Sequence, residues 1–297
     1  MREIIDIGEK IYNVSKPKEF KRMIVFLFRA MMNYQKIKDL LEFFKETPLR
    51  IRLLSHIPFF IEQSTRNFFY RNSKFQERCN IIKNHFLFLE SKYSENLIRC
   101  YIDSKLILWN DEYKSKELDI IIKFEPGQKK EGLMSVVLRL QEKDIYQMIF
   151  WIDKSDDNYL YIGAMQGTND ENANEIIKGL TKHCYGYRTK NLILFATRCV
   201  AKTLGIQKIY AVSNKGYYAN NHIRLDRKLK TSLDDFWEEA GGKITADYRF
   251  YELPVEEYRK SIEEIKTHKR NLYRKRFELL DSIEEAIKEN LLEVMNK

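Results

Sequence analysis

Between residues 18 and 101 apolar positions recur every three or four residues. Phe20, Met23, Ile24, Leu27 and Met31 trace one side of a helical period, and Pro48 and Pro58 break the chain further on. The pattern predicts a helical first third. After Ser104 the period shortens to short runs rich in β-branched and aromatic residues, at 106–109, 118–124, 133–140, 145–152 and 159–165, separated by charged or glycine-containing turns. Consecutive strands joined this tightly predict an antiparallel meander.

The helical period then returns. Thr168 with Glu171 three residues later forms a capping box ahead of Ile176, Ile177 and Leu180. A second helix is predicted over 189–204, with Leu192, Ala196, Cys199 and Val200 inward, Thr189 as its cap and Gly205 as its left-handed stop. Residues 207–212 read as a buried strand, 233–240 as a helix, Gly241-Gly242 as a turn, and 248–253 as a strand closed by Pro254. Beyond 255 a long or broken helix carries Ile262, Ile265, Leu272, Leu279, Ile283 and Ile287 inward. The predicted fold class is α/β of the α+β kind, a central twisted, mostly antiparallel sheet flanked by helices. Residues 1–103 form a helical layer, 104–254 the α/β core, and 255–297 a basic helical tail packed on that core.

Composition supports a folded chain. Of 297 residues 44% are hydrophobic and 32% charged, with five prolines, which argues against both disordered and membrane-spanning classes. The run from Met23 to Phe28, extended by Ala30, Met31 and Met32, is too short to cross about 30 Å of hydrocarbon. The N-terminal MREIIDIGEKIYNV carries charges where a secretory signal needs an unbroken apolar stretch. A cytoplasmic location is therefore expected, and peripheral attachment to the inner membrane is compatible with it. Cys79, Cys100, Cys184 and Cys199 lack the spacing of a zinc site or a disulfide framework. A formal charge of +9 favours anionic partners: phospholipid headgroups, nucleic acid, or the phosphates of coenzyme A and acyl carrier protein. No helix-turn-helix, zinc-finger or ribonucleoprotein signature accompanies that charge, so no nucleic-acid partner is expected.

The segment YLYIGAMQGTNDENANEIIKGLTKHCYGYRTKNLILFATRCVAKTLGIQKIYAVSN resembles the VirK/YbjX family of proteobacterial proteins, as do RCNIIKNHFLFLE, FWEEAGG and the basic HKRNLYRKRFELLDSI. Two positions depart from the family pattern: Thr189 stands where proline is common, and Tyr217 or Tyr218 where a histidine is expected. The resemblance implies a role connected with virulence, envelope integrity or resistance to cationic peptides. Within it, FATRCVAKTLGIQKIYAV is similar to the helix–strand unit of GNAT acyltransferases, which implies that the core over 104–254 and its central sheet are GNAT-like. There a helix N-terminus holds the pyrophosphate of acyl-CoA. The similarity implies an acyl-donor grip at Gly186, Arg188, Thr189, Lys190 and Asn191, with acyl carrier protein or acyl-CoA as co-substrate. The glycine-spaced loop of those enzymes is absent, and an ordinary helix on a sheet is the competing reading.

Gln166 and Asn214 close neighbouring strands, where side chains converge on a cleft, although turn chemistry alone also places such residues there. Acyl transfer needs a base and a group for the oxyanion or the leaving thiolate. His85, His183 and His222 are the candidate bases, and Tyr217 or Tyr218 the candidate acid. His85 lies on a face with Phe86 and Phe88 and reads more readily as a buried structural histidine, while Cys184 reads as packing. Lys266, Arg270 and Arg274 form a basic stripe suited to anionic lipid or acyl carrier protein, or simply to water. Phe59, Phe60, Phe68, Phe69 and Tyr70 suit an acyl groove or a core. Two functions are compatible with these residues: an acyltransferase acting on an envelope glycolipid such as lipid A, or a non-catalytic envelope-stress factor binding a lipid or protein.

Overall fold

The computed structural model describes residues 1–93, 96, 100–102, 106–124, 129–154, 157–220 and 232–296. Six helices come first among these residues: α1 (Arg2–Ile11), α2 (Pro17–Met32), α3 (Tyr34–Lys45), α4 (Pro48–His56), α5 (Phe59–Thr65) and α6 (Phe75–Tyr93). Pro17 and Pro48 each occupy a first helical position, where the missing amide costs nothing, and Thr47 caps α4 by accepting from the Arg50 amide. The strands β1 (Leu106–Glu112), β2 (Glu117–Lys123), β3 (Met134–Leu140), β4 (Lys143–Asp153) and β5 (Tyr159–Gly167) then run as the predicted antiparallel meander. Helices α7 (Ala173–His183) and α8 (Thr189–Thr203) lead to β6 (Lys208–Val212). After α9 (Leu233–Glu239), β7 (Lys243–Ile244) and β8 (Phe250–Leu253), the chain ends in α10 (Arg270–Asn296).

The eight strands form one sheet in the order β1-β2-β3-β4-β5-β6-β8-β7, in which β5 and β6 are parallel neighbours. A parallel pair requires a crossover, here α7 and α8. Every position of β3 and all of residues 147–152 in β4 are buried, so these central strands are covered on both faces. Helix α6 packs on β4, α8 on β3 and β4, and α10 along α8 and β1. One hydrophobic cluster runs from Ile4 to Val294. Phe59, Phe60, Phe68, Phe69 and Tyr70 all belong to it, which makes them core rather than groove. Phe60 stacks on Phe44 and meets Phe86 edge-on at 4.8 Å. Burying one such ring contributes about 1.5–3 kcal/mol.

Several local expectations shift. Thr168 does not cap a helix, because its amide still bonds Ile145 O of the sheet and its hydroxyl accepts from the Asp170 amide in a turn; α7 begins only at Ala173. The residue preceding α8 is Arg188, with no side-chain cap, and Thr189 is already helical and buried. Gly205 does take the left-handed conformation expected of it, at φ +69°. The last strand is shorter than expected because Asp247 turns the chain, accepting from Arg249 N, before the ladder starts at Phe250. Residues 254–266 contain no helix, and α10 buries Leu280, Ile283, Ile287, Leu291 and Val294, leaving Leu272 outside. The basic stripe is interrupted for the same reason: Lys266 precedes the helix, and Arg270 turns its guanidinium back onto Ile265 O and Glu263 O.

Candidate functional site

The parallel ladder between β5 and β6 runs only from Tyr159/Lys208 to Ile162/Ala211, yet β5 continues to Gly167 and β6 passes into Ser213 and Asn214. The carboxyl ends of the two strands therefore part, the place where open α/β sheets accept ligands. Glu131, from the segment entering β3, reaches into this parting. Its backbone lies directly on β5: a Cβ at Gly163 would stand 1.8 Å from Glu131 O. Its Oε1 accepts from the Tyr217 hydroxyl at 2.9 Å and, more weakly, from Gln166 Nε2 at 3.4 Å. One carboxyl thus links the end of β5 to the segment after β6.

Glu131 is 3% exposed, and its Oε2 accepts no hydrogen bond from the described residues. Burial pushes its carboxyl up to about 7, opposed by the hydroxyls of Tyr217 and Tyr218 and by the charge of Lys130. Burial, and then the nearby Glu131 charge, hold the Tyr217 hydroxyl protonated well beyond the ordinary tyrosine range. A carboxyl that exchanges its proton near neutrality, oriented by a half-buried tyrosine and glutamine, has the character of a general base.

A second arrangement lies at the start of α8. Gly186, at φ +75°, closes a turn clamped by Arg276, which donates Nε and Nη2 to Tyr185 O. Arg188 and Lys190 both face Glu239, Arg188 in a very close contact and Lys190 at 3.3 Å. The Arg188 hydrogen bond holds the Glu239 carboxyl below its usual range. Beside them is a pocket of about 320 Å³ whose lining includes Tyr187, Asn191, Leu194 and Arg198 together with Glu239, Glu256 and Glu257. Arg198 is 5% exposed and donates to Ala240 O at 2.8 Å, while its Nε and Asn191 Oδ1 find no partner among the described residues.

Other sequence candidates stand elsewhere. His85 is fully buried and joins α6 to β4: Nδ1 accepts from the Ile152 amide at 3.1 Å and Nε2 meets the Tyr101 hydroxyl at 2.6 Å. Burial lowers its pKa to about 3, so it is a neutral structural link rather than a base. Asn214 anchors α9, with Oδ1 accepting from Leu233 N and Nδ2 donating to Ser232 Oγ, and is not aimed at Glu131. His183 pairs with Asp111 of β1 at 2.8 Å. Cys184 is buried, and burial raises its thiol to about 12, as packing requires. His222 lies outside the described residues. The structure thus unites Gln166 and Tyr217 and gathers Gly186, Arg188, Thr189, Lys190 and Asn191 at a separate turn.

Residues 15–289 match the model of the family described as a protein of unknown function, DUF535. The chain belongs to the DUF535 family. Among its relatives is YbjX of Escherichia coli strain K12, 30% identical over 213 residues, which is 68% of this chain and 63% of that one. The resemblance to VirK/YbjX proteins is thereby borne out, and the aligned part spans less than two thirds of YbjX. An uncharacterized Haemophilus influenzae protein is 25% identical across 89% of this chain and 87% of its own length. A Mannheimia haemolytica relative named membrane protein LapB is 24% identical over 64% of this chain and 82% of its own. No solved structure matches. Among the described residues no helix of this DUF535 protein is long and apolar enough to cross a membrane.

Sequence reasoning missed Glu131, because a glutamate between Lys130 and Gly132 reads as a solvated turn. The available signal is Gly163 in the middle of a strand, since an interior strand glycine marks a close backbone approach. What approaches is Glu131.

Proposed function

We propose that this DUF535 protein is an acyltransferase that moves an acyl group from an acyl carrier protein or coenzyme A thioester to an envelope glycolipid such as lipid A, at the cytoplasmic face of the inner membrane. The observation that carries the reading is Glu131, buried between the parted ends of β5 and β6 and bonded to Tyr217. In the proposed reaction its carboxylate removes the proton from the acceptor hydroxyl. The freed oxygen attacks the thioester carbonyl, the tetrahedral intermediate collapses with breakage of the carbon–sulfur bond, and the leaving thiolate takes back the proton that Glu131 had removed. Tyr217 and Gln166 orient the base.

Two further features support this reading. The α8–β6 unit is similar to the helix–strand unit of the acyl-CoA site in GNAT enzymes, although α7 stands between β5 and α8 where those enzymes pass directly from strand to helix. The α8 pocket also carries Arg198, a buried guanidinium whose Nε has no hydrogen-bond partner among the described residues. The test compares lipid A and phospholipids by mass spectrometry in cells lacking the protein, complemented by wild type, Glu131→Gln or Arg188→Ala/Lys190→Ala. Loss of one acyl chain, restored by wild type and not by Glu131→Gln, is the expected result; unchanged lipids in cells lacking the protein would refute the proposal.

A non-catalytic binding role is favoured by one specific observation. Glu239 already neutralises Arg188 and Lys190, as a bound anion would. Under that reading purified protein turns over no thioester.

A further inference from the structure

Helix α2 is amphipathic twice over. Met23, Phe26 and Ala30 face inward, with Phe26 6.1 Å from the Tyr12 ring of the preceding segment. On another side of the same helix Phe20, Ile24, Phe28, Met31 and Met32 are 49, 51, 62, 57 and 71% exposed. At 100° per residue these five fall within an arc of about 120°, forming a continuous ridge roughly 18 Å long. Scattered exposed apolar residues are ordinary, but five large ones in register on one helix are not. Lys21 lies within the arc, and Lys18, Arg22 and Arg29 flank it, all exposed. Of the flanking groups, Arg22 pairs with Glu19.

We infer that α2 lies in the interface of an anionic phospholipid bilayer, with the ridge among the acyl chains and Lys18, Lys21 and Arg29 against the headgroups. Charge decides the occupant. A second copy meeting this face across a two-fold axis would set the same cations opposite one another, whereas anionic headgroups complement them. The shape agrees, because a ridge standing on the surface suits a fluid interface that closes around it. The helix docks without spanning, consistent with its 16 residues. This inference is independent of acyl transfer and rests on none of the residues around Glu131.

The experiment sediments the full chain with vesicles of phosphatidylcholine alone and of phosphatidylcholine with about one third phosphatidylglycerol. Wild type is expected to pellet with the anionic vesicles, and added salt to weaken that binding. Ile24→Glu/Phe28→Glu and Lys18→Glu/Lys21→Glu should each lower partitioning about tenfold or more. All four side chains are exposed, so the circular dichroism and melting of both variants should match wild type. In a parallel measurement, Phe28→Trp fluorescence should shift to the blue on adding anionic vesicles, because the native Trp109, Trp151 and Trp237 are already buried. Wild type remaining in the supernatant, or Ile24→Glu/Phe28→Glu binding like wild type, would overturn the inference. So would a dimer in solution that Ile24→Glu dissociates while vesicles bind nothing, which would give the ridge to a second copy.

Discussion

The Tyr217 hydroxyl donates to Glu131 Oε1 across 2.9 Å, joining residues 86 positions apart in the sequence. The bond bridges the strand entry at β3 and the loop after β6, and the sheet supplies the geometry: β5 carries no side chain at Gly163, which lets the Glu131 backbone lie on it. A carboxyl so placed is poised between its two protonation states near neutral pH.

Glu131→Gln should lower kcat by roughly 10²–10⁴ while leaving the fold intact, as loss of a general base does. Wild-type acyl transfer should rise with pH through about 7, as Glu131 loses its proton, and the variant should lack that limb. Initial rates between about pH 5 and 9, a range that brackets the carboxyl, measure this.

The same carboxyl makes stability depend on pH. Its folded value lies above its unfolded one, so the wild type loses stability as pH rises from the ordinary carboxylate range of 4.5 to about 7. Glu131→Gln should therefore gain on the order of 3 kcal/mol relative to wild type at about pH 8 and little at about pH 4. Urea unfolding at the two pH values tests the sign.

His85 acts in the opposite sense. Its folded value, about 3, lies below the unfolded 6.5, so stability is full above pH 6.5 and is lost as pH falls toward 3. His85→Leu should remove that slope while costing about 1–3 kcal/mol at about pH 7, because the Ile152 amide loses its buried acceptor. Chemical denaturation from about pH 7 to about pH 4 gives both quantities.

Gly163→Ala should prevent the Glu131 backbone from seating, at a cost of about 3 kcal/mol or more, whereas alanine at Gly205, with open space around it, should cost only what its positive φ imposes. Melting temperatures of the two variants check the contrast.

Glu239→Ala should free Arg188 and Lys190 and tighten binding of a phosphate-bearing thioester, while Arg188→Ala/Lys190→Ala weakens it. The Arg188–Glu239 pair is exposed, so Glu239→Ala should change stability by less than about 1 kcal/mol. Calorimetric titration with an acyl-CoA separates the two.

Local periodicity is enough to read the architecture. Alternating and β-branched runs mark β1 to β5, and the three- and four-residue spacing marks α2 and α8, since each pattern reports which side of an element is buried. Gly205 likewise announces the end of α8, because only glycine takes that conformation freely. Motifs at strand ends point to Gln166 and Tyr217, but the group that unites them is not visible there, because Glu131 comes from a different strand entry and looks solvated next to Lys130. Nothing local separates a histidine that bridges α6 and β4 from one that works as a base, or an asparagine that anchors α9 from one lining a cleft; the distinction lies in partners 67 and 19 residues away. Helix α2 shows the same limit. Its sequence announces an apolar helix, whereas the choice of Met23, Phe26 and Ala30 as the inward side, with Phe20, Ile24 and Phe28 left in solvent, comes from packing against the rest of the chain. Elements arise from short-range burial patterns; sites and free surfaces arise from long-range contacts that no window of sequence contains.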